Sequence, residues 1–304
     1  MKKLFYAVTG AVFLGLTAPV IGTTGEAWAE EVTGPDALVP EGYRNGEQGR
    51  DAVKEIGPGI REEENVSSAV GNAMIPNPVV KPVEKYTYDQ MVADINALKE
   101  RYGDKMQVNV IGRSQDGRDI YEVIVGNVNA PKHILMQGAI HAREYMTPLL
   151  MMKQLETALN FYDMGHYDNT ALSDLFQQVA VHMIPMSNPD GVTLAQSGLN
   201  GIRSDFLKQT ILTAYAKDKE LGRTTLDMDK YLTIWKSNAA GVDLNHNFPA
   251  DWEGVTSTAV SASYSGYKGT AALSEPESQA LAAMADKYPC QRNWKHGIRS
   301  YHNR

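Results

Sequence analysis

The stretch QGAIHAREYMTP, residues 137–148, decides how the fold is interpreted. It overlaps the end of an apolar run from His133 to Ala139, which predicts a buried strand, and it leads into a predicted helix from about Thr147 to Tyr162. His141 and Glu144 therefore stand where a strand ends and a helix begins. Neither side chain has an obvious packing role there, and open α/β sheets bind their ligands at the ends of strands.

The rest of the chain alternates strand-like and helix-like segments. Thr87 and Gln90 form a capping box before apolar residues at helical spacing, and Gly103 supplies the end of that helix. The run SNPDG, residues 187–191, is a dense turn signal. Further strands are predicted at 108–111, 120–125 and 179–185, and further helices within 200–235 and from a Ser274/Glu277 cap to about Tyr288. The alternation predicts an α/β fold, with a mixed, mostly parallel twisted sheet sandwiched between helices.

The amino terminus has the pattern of an export signal. Two lysines, an apolar run and the small-residue site Ala27-Trp28-Ala29 predict a signal peptide at 1–29, cleaved after Ala29, and so a secreted protein. A membrane anchor is the competing interpretation. Residues 30–83 are rich in Gly, Pro and acidic residues, which predicts a disordered leader or a pro-segment. Residues 84–304 are then the folded domain.

Composition limits the partners. The 304-residue chain has a net charge of −7, which argues against nucleic acid and anionic membranes as partners. Cys290 is the single cysteine, so no disulfide can form within the chain. We expect a monomer without a stable membrane anchor, stabilised by packing and by a metal.

His141 and Glu144 suit zinc, which binds imidazole nitrogen and carboxylate oxygen. The pair is weak alone, because a glutamate is also favoured at the start of a helix by the helix dipole. A catalytic zinc site needs a third ligand, and His302, after a strand-like run from Ile298 to Tyr301, is the candidate. An exposed histidine near the end of the chain is the alternative.

A second constellation lies in GVDLNHNFPADW, residues 241–252. Asp243 is a candidate partner for a metal-bound imidazole, which usually donates its other N–H to a carboxylate. Asn245 and His246 would then point towards the ligand. A polar loop chosen for turn geometry is the alternative.

Five motifs together resemble one family. GAIHAREY, NPDGV, WKSNAAGVDLNHNF, ALSEPES and SYH occur in the order, and at roughly the spacing, of zinc carboxypeptidases of the carboxypeptidase A type. The resemblance runs from about Tyr86 to His302. It implies a mixed eight-stranded sheet between helices, and a secreted zinc-dependent metallocarboxypeptidase acting on peptides. In the family reaction, a water on zinc attacks the last peptide bond and a glutamate acts as general base.

The resemblance also implies roles for individual residues. His141, Glu144 and His302 match the zinc ligands, and Asp243 matches the carboxylate behind the first histidine. Two further residues match substrate-binding positions, since Arg143 would hold the substrate chain and Asn245 its terminal carboxylate.

The sequence departs from the family at the substrate site. His246 stands where carboxypeptidases have an arginine, and a neutral imidazole cannot grip a carboxylate in a bidentate way. Relatives that cut cell-wall peptides at the γ-D-glutamyl–diaminopimelate bond also vary here, so such a peptide is the alternative substrate. Lys236 lies nearest to the family's carbonyl-polarising arginine, and Arg203 is a weaker candidate.

The family's catalytic glutamate lies well beyond its third zinc ligand, whereas this sequence ends two residues after His302. We therefore expect a truncated domain, without an identifiable catalytic residue and with little activity. A non-catalytic protein that binds zinc and peptide, or an inactive truncated homologue, is the further alternative.

Overall fold

The structure is a computed structural model that describes residues 75–167, 169–250 and 252–288. The predicted signal peptide, nearly all of the predicted leader and the predicted ligand His302 lie outside these residues. The described part forms one α/β unit, with its helices packed around a mixed sheet.

Among the described residues, the main sheet has four strands in the order β1-β2-β6-β3, and a separate hairpin pairs β4 with β5. The strands are β1 (Met106–Arg113), β2 (Asp119–Val125), β3 (Lys132–Gln137), β4 (His166–Tyr167), β5 (Thr170–Ala171) and β6 (Val179–Ile184). The helices are α1 (Tyr88–Tyr102), α2 (Met146–Asn160), α3 (Leu172–Gln178), α4 (Pro189–Ser197), α5 (Asp205–Glu220), α6 (Met228–Thr233) and α7 (Pro276–Lys287). Short 3₁₀ turns lie at Gly103–Lys105, Gly198–Gly201 and Leu244–His246.

The predicted α/β class and the mixed sheet are confirmed, but the described strands are not mostly parallel. β1–β2 and β2–β6 pair antiparallel, and β3–β6 pairs parallel. The reason is the length of the connections. Ser114 and Arg118 close a tight turn, in which the Ser114 N–H donates to the Arg118 carbonyl at 2.8 Å, and so short a turn forces β1 and β2 to run antiparallel. The long connection through α2 lets β3 and β6 run parallel.

The start of α1 agrees with the prediction, because the Thr87 hydroxyl accepts from the Gln90 N–H at 3.2 Å and Gly103 follows the helix. The predicted Ser274 cap of α7 is wrong. That helix begins at Pro276, and Glu275 is its N-cap residue. Proline fixes the first helical position, where its missing N–H would have no partner in any case.

The core lies on both faces of the sheet. One cluster joins α1 and α2 to the sheet through side chains such as Leu98, Leu155 and Met183. On the other face, Ile184 packs with Leu281 of α7. A separate cluster around Trp235 packs α5 and α6 together, so helices cover both faces as the α/β prediction requires.

The segment before α1 is tied to the sheet domain by a buried carboxylate. Glu156 of α2 accepts from the N–H groups of Val79 and Val80 at 2.6 and 3.0 Å, and Val80 itself is fully buried. Packing against the domain therefore begins before residue 84. None of the helices in the described part of the chain is long and apolar enough to cross a bilayer.

Glu277, in the first turn of α7, is fully buried. Its carboxylate accepts from the Gln115 N–H at 3.1 Å and from the Asn238 amide at 3.3 Å. Burial, together with the negative charge of Asp190, raises the pKa of Glu277 to about 8. The neutral form is therefore favoured in the folded protein.

This shift predicts that the protein loses stability as pH rises from about 4.5 to about 8. The raised pKa makes the folded state hold a proton that the unfolded state releases near pH 4.5, so the contribution is complete below that pH and is lost as pH rises through about 8. At about 1.4 kcal/mol per pKa unit, the free energy of unfolding falls by several kcal/mol across this window. Urea unfolding at pH 5, 7 and 9, with a chelator present, measures it.

Glu277→Gln should flatten this pH dependence, since a neutral amide has no proton to lose. Glu253→Gln is the control, because Glu253 is exposed and its replacement should leave the slope unchanged. An equal pH slope in wild type and Glu277→Gln would contradict the assignment.

Candidate metal centre

His141 lies in a loop that leaves the carboxyl end of β3, beside the end of β6. The loop starts at Gly138, whose N–H donates to the Ile184 carbonyl at 2.9 Å. A Cβ at Gly138 would lie 2.6 Å from the Pro185 carbonyl oxygen, so only glycine permits this close approach. Ala139 follows with a φ of +47°, a left-handed conformation that costs a non-glycine residue energy. The backbone thus turns sharply just before His141.

The imidazole and the carboxylate of the predicted pair converge. His141 Nδ1 lies 2.8 Å from Glu144 Oε1, and His141 is fully buried whereas the Glu144 side chain is partly exposed. The Glu144 N–H donates to the His141 carbonyl at 3.1 Å, which closes a turn between the two residues. Thr147 fixes the far side of this turn, because its hydroxyl donates to the Glu144 carbonyl and accepts from the Ala139 N–H.

A second loop brings Asp243 to the other nitrogen of the imidazole. Asp243 Oδ1 lies 3.5 Å from His141 Nε2, a long contact between two fully buried groups. Asp243 Oδ2 accepts from Lys236 Nζ and from the Gly266 N–H, both at 3.0 Å. The two loops also meet directly, since the Ala142 N–H donates to the Lys236 carbonyl at 3.1 Å.

The charged groups of this cluster stabilise one another. Burial alone would raise the pKa of Asp243, but the facing imidazole of His141 and the charge of Lys236 hold that pKa well below its ordinary value. Burial alone would lower the pKa of His141, yet Asp243 and Glu144 raise it. The surroundings of Asp243 therefore favour its ionised form beside the histidine.

The other predicted site residues differ in their exposure and contacts. Arg143 and Asn245 are exposed, and His246 is half-buried. Burial lowers the pKa of His246, and its Nδ1 is buried without a hydrogen-bond partner among the described residues. The Arg203 side chain is exposed, and its backbone N–H donates to Asp116 at 2.8 Å.

Three contributors to the site were not identified from the sequence. Gly266 donates its N–H to Asp243 from a distant loop, and no local pattern marks it. Asn188 and Asn238 hold the loops that carry the site. Both stand in quoted motifs, but Asn188 was interpreted only as part of a turn signal and Asn238 was given no role.

The donors present fit zinc as far as they are described. Two zinc ligands at about 2.0–2.1 Å in tetrahedral geometry stand roughly 3.4 Å apart. His141 Nδ1 and Glu144 Oε1 lie at a hydrogen-bond distance of 2.8 Å, so the two atoms would have to separate by about 0.6 Å to hold a zinc ion between them. The other ring nitrogen faces the Asp243 carboxylate, as is usual for a metal-bound imidazole. Within residues 75–288 as described, no group of three such side chains is present, and the predicted third ligand His302 lies outside them.

A His–Glu pair backed by a buried carboxylate, at the end of strands in an α/β sheet, has the chemistry of a metallohydrolase site. The sequence model of the zinc carboxypeptidase family, peptidase M14, matches residues 91–302, more than half of the chain. The chain therefore belongs to the zinc carboxypeptidase family, a family of zinc-dependent peptidases, and the predicted family is confirmed.

The chain is also similar to individual proteins. The chain is 31% identical over 68% of its length to gamma-D-glutamyl-L-diamino acid endopeptidase 1 of Lysinibacillus sphaericus, and 31% identical over 60% of its length to the uncharacterized protein YqgT of Bacillus subtilis. These matches cover 48% and 46% of the two relatives, so the chain spans about half the length of the curated relatives it matches. The structure of carboxypeptidase A from Helicoverpa armigera aligns with a TM-score of 0.45 and 23% identity, over 72% of this chain and 47% of that one.

Asp243→Asn is predicted to weaken zinc binding. The amide keeps the shape of the side chain but removes the negative charge that faces His141 Nε2. Loss of such a partner typically lowers metal affinity about 10- to 100-fold. Competition with a chromophoric zinc chelator measures the affinity. Asp205→Asn is the control, because that side chain is 94% exposed and forms a surface ion pair with Lys208. Equal zinc affinity in Asp243→Asn and wild type would contradict the role given to Asp243.

Proposed function

We propose that this protein is a zinc-dependent peptidase that acts on γ-D-glutamyl–diamino acid bonds of cell-wall peptides. The observation that carries the choice of substrate is His246, which stands half-buried beside Lys236 and Asp243. The 31% identity to an enzyme named for that bond supports the same choice.

His246 argues against recognition of an ordinary C-terminal carboxylate. Burial lowers its pKa, so the imidazole is neutral near pH 7 and offers a single N–H donor. Lys236, whose positive charge acts on His246, is already paired with Asp243 at 3.0 Å. Position 246 therefore does not supply the planar cationic fork that binds a carboxylate through two parallel hydrogen bonds.

The chain's own residues have separable tasks in this proposal. His141 and Glu144 would hold the zinc, and Asp243 would fix which ring nitrogen of His141 faces the zinc. The zinc, when bound, supplies a Lewis acid that polarises the scissile carbonyl and activates water. Lys236 compensates the buried charge of Asp243. Arg143 is exposed next to the pair, where its guanidinium would attract a carboxylate of an acidic peptide.

An ordinary carboxypeptidase is the second candidate. The exposed Arg143 and Asn245 favour it, because both side chains would be available to bind the end of a substrate chain. We also propose export, supported by the signal-like pattern at 1–29 and consistent with a substrate outside the cell membrane.

The substrate proposal predicts a preference that one pair of peptides measures. We expect zinc-dependent cleavage or binding of L-Ala-γ-D-Glu-diaminopimelate to exceed that of an N-blocked dipeptide with a free C-terminal Phe. Chromatography detects the cleavage products and calorimetry detects binding. The zinc chelator 1,10-phenanthroline should abolish both cleavage and binding. Binding without product would identify a non-catalytic protein, and a preference for the blocked dipeptide would favour the carboxypeptidase.

His246→Arg is predicted to shift this preference. A charge-assisted bidentate contact contributes about 1.5–3 kcal/mol, so affinity for the dipeptide carboxylate should rise on the order of 10- to 100-fold. His246→Gln, which keeps a neutral donor, is the matched control and should not change it. An unchanged ratio of affinities in His246→Arg would show that residue 246 does not face the substrate.

A further inference from the structure

The motif SNPDG, residues 187–191, does more than turn the chain. Asn188 is fully buried and is the N-cap residue of α4, where its Oδ1 accepts from the Gly191 N–H at 3.0 Å. Pro189 occupies the first position of the helix. Capping uses only the oxygen of the Asn188 amide, so its nitrogen is available for a second task.

That nitrogen bridges the two loops of the metal centre. Asn188 Nδ2 donates to the Ile140 carbonyl at 3.2 Å and to the Ser237 carbonyl at 3.1 Å. Ile140 directly precedes His141, and Ser237 directly follows Lys236. One side chain therefore holds a carbonyl next to each of the residues that face Asp243.

The geometry around this amide is specific for the motif. A Cβ at Gly191 would lie 2.6 Å from both polar atoms of the Asn188 amide and from the Ser237 carbonyl oxygen. Real Cβ atoms do not approach so closely, hence a side chain at Gly191 would push the amide or the second loop away. Glycine is required here for space, not for an unusual backbone angle.

The helix that carries the amide is itself fixed to the sheet. Asp190 is fully buried and accepts from the Ser114 hydroxyl, the Asp116 N–H and Arg118 Nη1 at 2.7–2.8 Å. All three residues belong to the turn between β1 and β2. Asn188 thus projects from an element that is anchored independently of the metal loops.

We propose that Asn188 is a positioning residue that clamps the His141 loop to the Lys236–Asp243 loop and so sets the ligand geometry. The clamp stands on the hydrogen bonds alone, whereas its effect on zinc rests on the proposed function. Described residues of both loops lie outside the sheet strands, so side-chain bridges and the Ala142–Lys236 backbone contact fix their spacing.

Asn188→Asp tests the clamp. The aspartate keeps an oxygen to cap α4 but replaces the bridging N–H donor with an acceptor that faces two carbonyls. We expect faster amide hydrogen exchange in peptides covering 139–146 and 235–243, and zinc affinity lower by about 10- to 100-fold in chelator competition. Asn188→Ser, with a shorter capping oxygen and no bridging nitrogen, is the second variant if Asn188→Asp does not fold.

Leu98→Ala is the control for general destabilisation, because Leu98 is buried in the core cluster of α1 and α2. The Leu98→Ala substitution should speed amide hydrogen exchange without a particular effect on the two loops, and it should leave the zinc affinity unchanged. Unchanged exchange in both loops of Asn188→Asp, or loosened loops with wild-type zinc affinity, would overturn the proposal. Absence of zinc binding in the wild type would overturn the proposed function instead, and loop exchange alone would then decide whether Asn188 is a clamp.

Discussion

The buried contact between His141 and Asp243 is the constraint on which the rest of the site depends. Both side chains are fully excluded from solvent, and an isolated buried charge is very unfavourable. Asp243 is stabilised because Lys236 and the Gly266 N–H donate to one oxygen while the imidazole faces the other. Removing one of these groups would leave the charges of the others buried without an opposite charge or a hydrogen-bond partner. The cluster is therefore expected to behave as a unit.

The sheet explains why this unit forms where it does. β3 and β6 run parallel, with Gln137 opposite Ile184, so the chain leaves both strands at the same edge. The loop after β3 carries His141, and the loop after β6 leads into α4 with Asn188 at its start. Ligand sites of open α/β sheets lie at this edge because the loops that leave the strands meet there. Asn188 then joins the first loop to a third segment, near Lys236, which the sheet does not position.

The sequence predicted local features well where a residue's role depends on its immediate neighbours in the chain. Thr87 with Gln90 predicted the start of α1, and the His141–Glu144 pair lies at the end of a strand, as expected. The prediction that Ser274 caps α7 was wrong, because Pro276 sets the first position of that helix. Asn188 was interpreted as a turn residue, since its two carbonyl partners lie 48 and 49 residues away along the chain. Contacts at such a distance depend on tertiary packing, which local spacing does not encode, and the same holds for the approach of Gly266 to Asp243.

Anomalous scattering at the zinc edge, from crystals of the zinc-loaded protein, tests the central claim most directly. We predict one peak about 2.0–2.1 Å from His141 Nδ1 and within ligand distance of the Glu144 carboxylate, with His141 Nε2 still facing Asp243. A peak elsewhere in the molecule, or coordination through His141 Nε2 with Asp243 turned away, would contradict the account.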